Sequence, residues 1–173
     1  MGFLYYDGNE GNRRILNKNF GELLMPNFQQ SCRVSASLAY VRDQFDKTLL
    51  AKLAPPFPIA RIIQFDGCKE KDQVSIELDF LIYKTRWDSV ITSEHSDATS
   101  FVFVDEGTKV PFGIKQWKHE HRMESISENE SVVIDKIHFQ TNYKLLDWLL
   151  FPLLWGMIAY RFPLYKKHLH QPR

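Results

Sequence analysis

From Ile59 to Phe139 the chain repeats one pattern. Short segments alternate apolar and polar residues, and turn residues separate them. In "DQVSIELDFLIY", Val74, Ile76, Leu78, Phe80 and Ile82 fall on one side, with Ser75, Glu77 and Asp79 on the other. In "IKQWKHEHRMESI", Trp117, His119, His121 and Met123 share a side opposite Gln116, Lys118, Glu120, Arg122 and Glu124. A period of two predicts strands with one face packed inward and one face wet. "IARIIQF", "TRWDSVITSE", "TSFVFVDE" and "SVVIDKIHF" bring the series to about six strands. Asp66-Gly67, "HSDA" and "SENE" supply turns between them. No helical periodicity interrupts the run, which argues against a doubly wound parallel sheet and for an antiparallel sheet with helices on one face.

Two other segments frame this series. "FQQSCRVSAS" reads as a first strand, followed by a helix over "LAYVRDQFDKTLLAKL" that Ser35 or Ser37 can cap. Leu38, Val41, Phe45 and Leu49 form its apolar face, and a break falls around Asp46 to Thr48. "APPFP" then ends it, because Pro55 and Pro56 cannot continue a helix. At the far end, a helix is predicted from about Leu145 to His168. It contains 13 consecutive uncharged residues between Asp147 and Arg161. A helix packed on a sheet needs one apolar stripe, yet "WLLFPLLWGMIAY" is apolar almost all round, so part of it should meet something besides the sheet. The division of the chain is an N-terminal extension over residues 1–27 and one domain over residues 28–170.

With a net charge of +1, no global basic field draws the chain to nucleic acid, and no nucleic-acid partner is expected. Cys32 and Cys68 make no metal-type spacing and no disulfide scaffold, which fits a reduced, cytoplasmic setting. The first residues lack the basic and apolar regions of a signal peptide. The 13 Phe, 7 Tyr and 4 Trp supply large contact area suited to a core or a ligand cavity.

Several stretches, in this order, resemble the SRPBCC superfamily, which includes START lipid-binding domains, polyketide cyclase-like proteins and plant pollen-allergen-like proteins. They are "SCRVSASLAYVRDQF", "LAKLAPPFPIARI", "RWDSVITSEH", "FVFVDEG", "VPFGIKQWKHEHRME", "VVIDKIHF" and "IAYRFPLYKKHL". Together they cover about residues 28 to 170 and look most like small bacterial ligand-binding members. Val110, Met123 and Phe139 stand where the family has Gly, Phe and Tyr. The resemblance implies an α+β helix-grip fold: a seven-stranded antiparallel sheet wrapped around a long C-terminal helix, with two short helices after the first strand. It also implies a hydrophobic ligand, such as a lipid, a sterol-like or a polyketide-like molecule.

Candidate functional residues follow from strand geometry. His119 and His121, two apart, share a face with Trp117. With a hairpin at Ser127 to Glu130, Asp135 falls opposite His121 or Met123. A carboxylate facing a histidine fixes its tautomer and raises its basicity, so His121 and Asp135 are the best catalytic candidates. His119, His121 and Asp135 also have the composition of a metal site. The plainer reading is a structural polar cluster, and neither metal nor cofactor is expected. Arg161 can hold a ligand anion or simply pair at the helix end. Glu77 and Asp79 read as a solvated sheet surface. The ligand-contacting set is Phe80, Trp87, Phe101, Trp117, His119, His121, Trp155 and Arg161, with entry beside "APPFP" and "GTKVPFG". Three functions compete: binding of a hydrophobic small molecule, a cyclase or dehydratase using His121 and Asp135, and attachment to a membrane surface through residues 145–164. A homodimer is the remaining candidate partnership. A full membrane span is disfavoured, because it needs about 20 mostly apolar residues and extending the uncharged run takes in Asp147 or Arg161.

Overall fold

The computed structural model describes residues 26–171, so most of the extension read over residues 1–27 lies outside the described residues, while Asn27 already belongs to the first strand. Seven antiparallel strands form one sheet: β1 (Asn27–Val34), β2 (Ile59–Phe65), β3 (Gln73–Asp79), β4 (Lys84–Ser96), β5 (Ser100–Lys109), β6 (Ile114–Ser127) and β7 (Glu130–Thr141). Their spatial order is β1-β7-β6-β5-β4-β3-β2. Every neighbour is therefore a hairpin partner except β1, which crosses to pair with β7. The long crossover holds two short helices, α1 (Leu38–Gln44) and α2 (Lys47–Lys52). The Ser37 hydroxyl accepts from the Tyr40 amide and the Asp46 carboxylate from the Leu49 amide, so each helix start has its own cap. The break falls at Phe45 and Asp46, at the front edge of the Asp46 to Thr48 stretch expected for it, and Lys47 and Thr48 already belong to α2.

Two helices close the chain, α3 (Lys144–Ala159) and α4 (Arg161–His168). The predicted helix is thus present along its length but interrupted at Tyr160. Pro163 explains the break: it has no N–H for the Ala159 carbonyl, and its ring crowds that carbonyl. Pro152 sits inside α3 on the exposed face, where water can satisfy the carbonyl left without a partner. The "DQVSIELDFLIY" strand ends earlier than its alternation suggests. Phe80 to Tyr83 form a tight turn, with Leu81 at φ 72°, and Ile82 projects into solvent at 91% exposure.

The concave face of the sheet carries the inward residues. On β6 these are Ile114, Trp117, His119, His121 and Met123, and on β7 Ser131, Val133, Asp135, Ile137, Phe139 and Thr141. Two packed clusters result. One joins Val34, Val41, Leu49, Phe101, Phe103, Met123, Val133, Tyr165 and Leu169, tying α1, α2 and α4 to the sheet. The other joins Ile114, Trp117, Ile137, Phe139, Leu150, Leu154 and Ile158, tying α3 to β6 and β7. The chain reversal into α3 is fixed by buried Asp147, whose Oδ1 accepts the Thr141 amide at 2.7 Å. Replacing Asp147 with Ala strands that amide in a buried place. We expect Asp147→Ala to lose about 1–3 kcal/mol of unfolding free energy, read by urea denaturation against the parent protein.

Candidate functional site

Between the sheet and the helices lies a cavity of ≈ 140 Å³. Leu49 and Leu53 of α2, Ile62 of β2, Val74 and Ile76 of β3, Ile91 of β4, and Leu154 and Ile158 of α3 make it largely apolar. The polar groups on its wall are a minority. Asp46 caps α2, Ser89 lies on β4, Asp105 on β5, His119 and His121 on β6, and Arg161 and Tyr165 on α4.

The histidines are seated by a buried carboxylate behind them. Asp135 on β7 is fully buried, and His121 is its cross-strand partner. The aligned hydrogen bond nevertheless goes to His119, whose Nε2 donates to Asp135 Oδ1 at 2.9 Å. An ionised carboxylate only accepts, so the proton of His119 must sit on Nε2. His121 Nδ1 lies 3.1 Å from the same oxygen but is not directed for a hydrogen bond, and this buried nitrogen has no hydrogen-bond partner. The Tyr165 hydroxyl donates to Asp135 Oδ2 at 3.3 Å, which ties α4 into the network. The imidazoles lie close together, with ring centroids 3.7 Å apart, and Phe103 stacks on His121 at 4.5 Å.

Burial sets the charges. His119 is 2% exposed, and burial, reinforced by its neighbour His121, lowers its pKa to about 4. It is therefore neutral at pH 7. Burial alone would raise the Asp135 pKa, but the hydrogen bond from His119 and the nearness of His121 outweigh it and hold the carboxyl well below its usual range. Burial, helped by the Asp135 charge, raises Tyr165, so its hydroxyl stays a donor.

The sequence-derived residues separate into three groups. Trp87, Trp117, His119, His121 and Arg161 line the cavity. Asp135 stands behind the histidines and does not reach the cavity wall. Phe80, Phe101 and Trp155 lie outside the wall. Phe80 stacks with Tyr83 beyond the end of β3, Phe101 is packed within the core, and Trp155 is 48% exposed because it falls off the Leu150, Leu154, Ile158 stripe. Glu77 and Asp79 pair with Arg61 and Lys84 on the outer face, as a solvated surface should. Two further residues join the site. Asp105 is opposite His119 on the neighbouring strand and accepts from Trp117 Nε1 at 3.1 Å. Tyr165 follows Arg161 by four positions, which puts both on one helical face. In "FVFVDE", Asp105 falls on the same side as Phe101 and Phe103, a signal the alternation carries, but only the β5–β6 register reveals its neighbour. Asp105, His119 and His121 together have the donor set for a metal ion.

No family model matches the chain, and no curated protein matches it. Solved structures do. An aromatase/cyclase from a Streptomyces species shares 12% identity at a TM-score of 0.65, over 84% of this chain and 93% of that one. Norcoclaurine synthase from Thalictrum flavum, in complex with dopamine and hydroxybenzaldehyde, shares 12% identity at a TM-score of 0.58, over 100% of both chains. A START superfamily protein from Mycobacterium smegmatis shares 9% identity at a TM-score of 0.52, over 80% of this chain and 97% of that one. At such identities the likeness establishes the fold alone: this chain has the helix-grip architecture of these structures.

The network makes a graded stability test. Asp135→Ala strands two buried donors, the His119 ring N–H and the Tyr165 hydroxyl, and should cost about 3 kcal/mol, whereas Tyr165→Phe should cost about 1 kcal/mol. Chemical denaturation of both variants checks the order.

Proposed function

We propose that this protein binds a small hydrophobic molecule carrying one polar end, held in the cavity between sheet and helices. The observation that carries this reading is the asymmetry of the cavity wall. Most of it is aliphatic and aromatic, while Asp46, Ser89, Asp105, His119, His121, Arg161 and Tyr165 supply its polar groups. Such a wall rewards an apolar body and orients a single polar group. A volume of ≈ 140 Å³ suits one aromatic ring or a short acyl stretch, and a larger molecule would extend through the mouth. Trp87, Trp117, His119, His121 and Arg161 make the contacts. The solved norcoclaurine synthase complex, with two single-ring molecules, supports a ligand of this size. A cyclase or dehydratase acting on the same ligand would use His119 and His121 as its acid/base pair, with Asp135 positioning His119 from behind. We place the protein in the cytoplasm on its cysteine usage.

Native mass spectrometry of purified protein should show a specific small-molecule adduct. Ile76→Trp, which fills the cavity from β3, should weaken binding of that molecule at least about tenfold while the fold survives. A clean ligand-free mass across expression conditions, or an adduct indifferent to Ile76→Trp, overturns the reading.

An exposed apolar surface favours a second role, docking on a membrane surface to exchange that ligand. Leu145, Trp148, Leu149 and Leu153 face solvent along α3, with Trp148 77% exposed, and Leu81 and Ile82 project from the β3–β4 turn. Phe80 meets Phe112 edge-on, and Phe112 and Leu146 both pack against the cluster under α3. By length and composition Lys144–His168 would also suit a span, but Asp147, Leu150, Leu154, Ile158 and Tyr165 of that stretch are buried. A helix half occupied by the sheet fits lying on a bilayer better than crossing it. The protein should float with anionic liposomes, and Trp148→Ser with Leu149→Ser should abolish flotation without changing the thermal transition.

A further inference from the structure

We propose that Asp105, His119 and His121 form a binding site for a divalent transition-metal ion at the polar wall of the cavity. One donor atom from each of the three residues lies within 4.8 Å of the others. All three line the cavity, so an ion held there would keep an open coordination position toward whatever occupies it.

The strands fix the arrangement. Asp105 pairs directly with His119 across β5 and β6, and His121 follows two positions on, on the same face. Adjacent antiparallel strands form a stiffer frame for three donors than a loop would. The set of two imidazoles and one carboxylate suits a first-row divalent ion such as Zn²⁺ or Co²⁺.

Two further features point to a ligand rather than to a self-contained polar cluster. The first is the support behind His119. Its Nε2–H is committed to Asp135 Oδ1, and Asp135 is held in turn by Tyr165. Metal-binding histidines characteristically donate their second ring N–H to a carboxylate in this way, which leaves the other nitrogen as a lone-pair donor. For His119 that nitrogen is Nδ1. The second feature is His121, whose buried Nδ1 has no hydrogen-bond partner although Asp135 Oδ1 is only 3.1 Å away. A small turn of the ring would complete that hydrogen bond and present Nε2 as the third donor. Asp105 uses Oδ1 to accept from Trp117, leaving its second oxygen for an ion. Metal bonds of 2.0–2.2 Å bring tetrahedral ligands to about 3.3 Å apart, so donors within 4.8 Å of one another must close by up to about 1.5 Å. Half-buried Asp105 can make most of that movement.

This site stands independently of the ligand-binding reading, since the ion needs no organic molecule to bind. An ion here would polarise an oxygen of any cavity occupant.

The test uses the full chain, stripped with chelator and dialysed, then titrated with Co²⁺ in the visible range and with Zn²⁺ by calorimetry. One equivalent should bind, with the absorption bands of a four- or five-coordinate Co²⁺ centre. Asp105→Asn, a same-shape change at a half-buried position, should weaken binding at least about tenfold, and His121→Ala should do likewise. Asp135→Asn should weaken it about tenfold while keeping one ion per chain. No saturable binding up to about 1 mM metal overturns the proposal. So does binding indifferent to Asp105→Asn, which would assign the ion to exposed groups such as His95 with Asp97 or the tail residues His168 and His170.

Discussion

One carboxylate without water around it organises this molecule. Asp135 belongs to β7, takes its hydrogen bonds from His119 on β6 and Tyr165 on α4, and is fully buried where they meet. An ionised group in that position is tolerable only while its donors stay in place. Sheet and closing helix are therefore held at a fixed distance by an electrostatic demand as well as by apolar packing. The same demand determines the chemistry presented to the cavity. It fixes the tautomer of His119 and holds that ring with its other nitrogen turned away from the carboxylate.

The cavity follows from a mismatch in coverage. The strands curve around a helix pair that Pro163 breaks at Tyr160, so α3 and α4 cover different parts of the concave face. Each packs its own cluster, and the space left between them is where the polar residues gather. Stability and vacancy are thus compatible: the two clusters hold the domain together without filling its centre.

Periodicity located the elements and an antiparallel sheet, and the family resemblance supplied the helix-grip arrangement. Alternation located the strands, and a cap at Ser35 or Ser37 with a break around Asp46 to Thr48 located the two short helices. The apolar excess near the C-terminus identified a helix with more than one apolar face to cover, and the exposure of Trp148 and Leu149 shows the face that the sheet leaves free. The site was legible where it depended on one hairpin: counting from a turn at Ser127 to Glu130 placed Asp135 opposite His121 or Met123, and the register selects His121. It was less legible where several strands had to be registered together. Asp105 meets His119 through pairing that local alternation cannot fix. The aligned hydrogen bond reaches His119 and not the cross-strand partner His121, a matter of ring direction that no spacing encodes. Phe80 illustrates the opposite failure. Its pattern is that of a strand, but the turn to Tyr83 takes it away from the cavity.

The division into two clusters has a consequence for how such a chain can change. Substitutions around Leu150 and Ile158 alter one cluster, and those around Val41 and Leu169 alter the other. Contacts that do not touch adjust stability almost independently. The lineage can therefore reshape one wall of the chamber while the opposite wall keeps the domain folded. A scaffold with that partition can wander among occupants of different shape without ever passing through an unfolded ancestor.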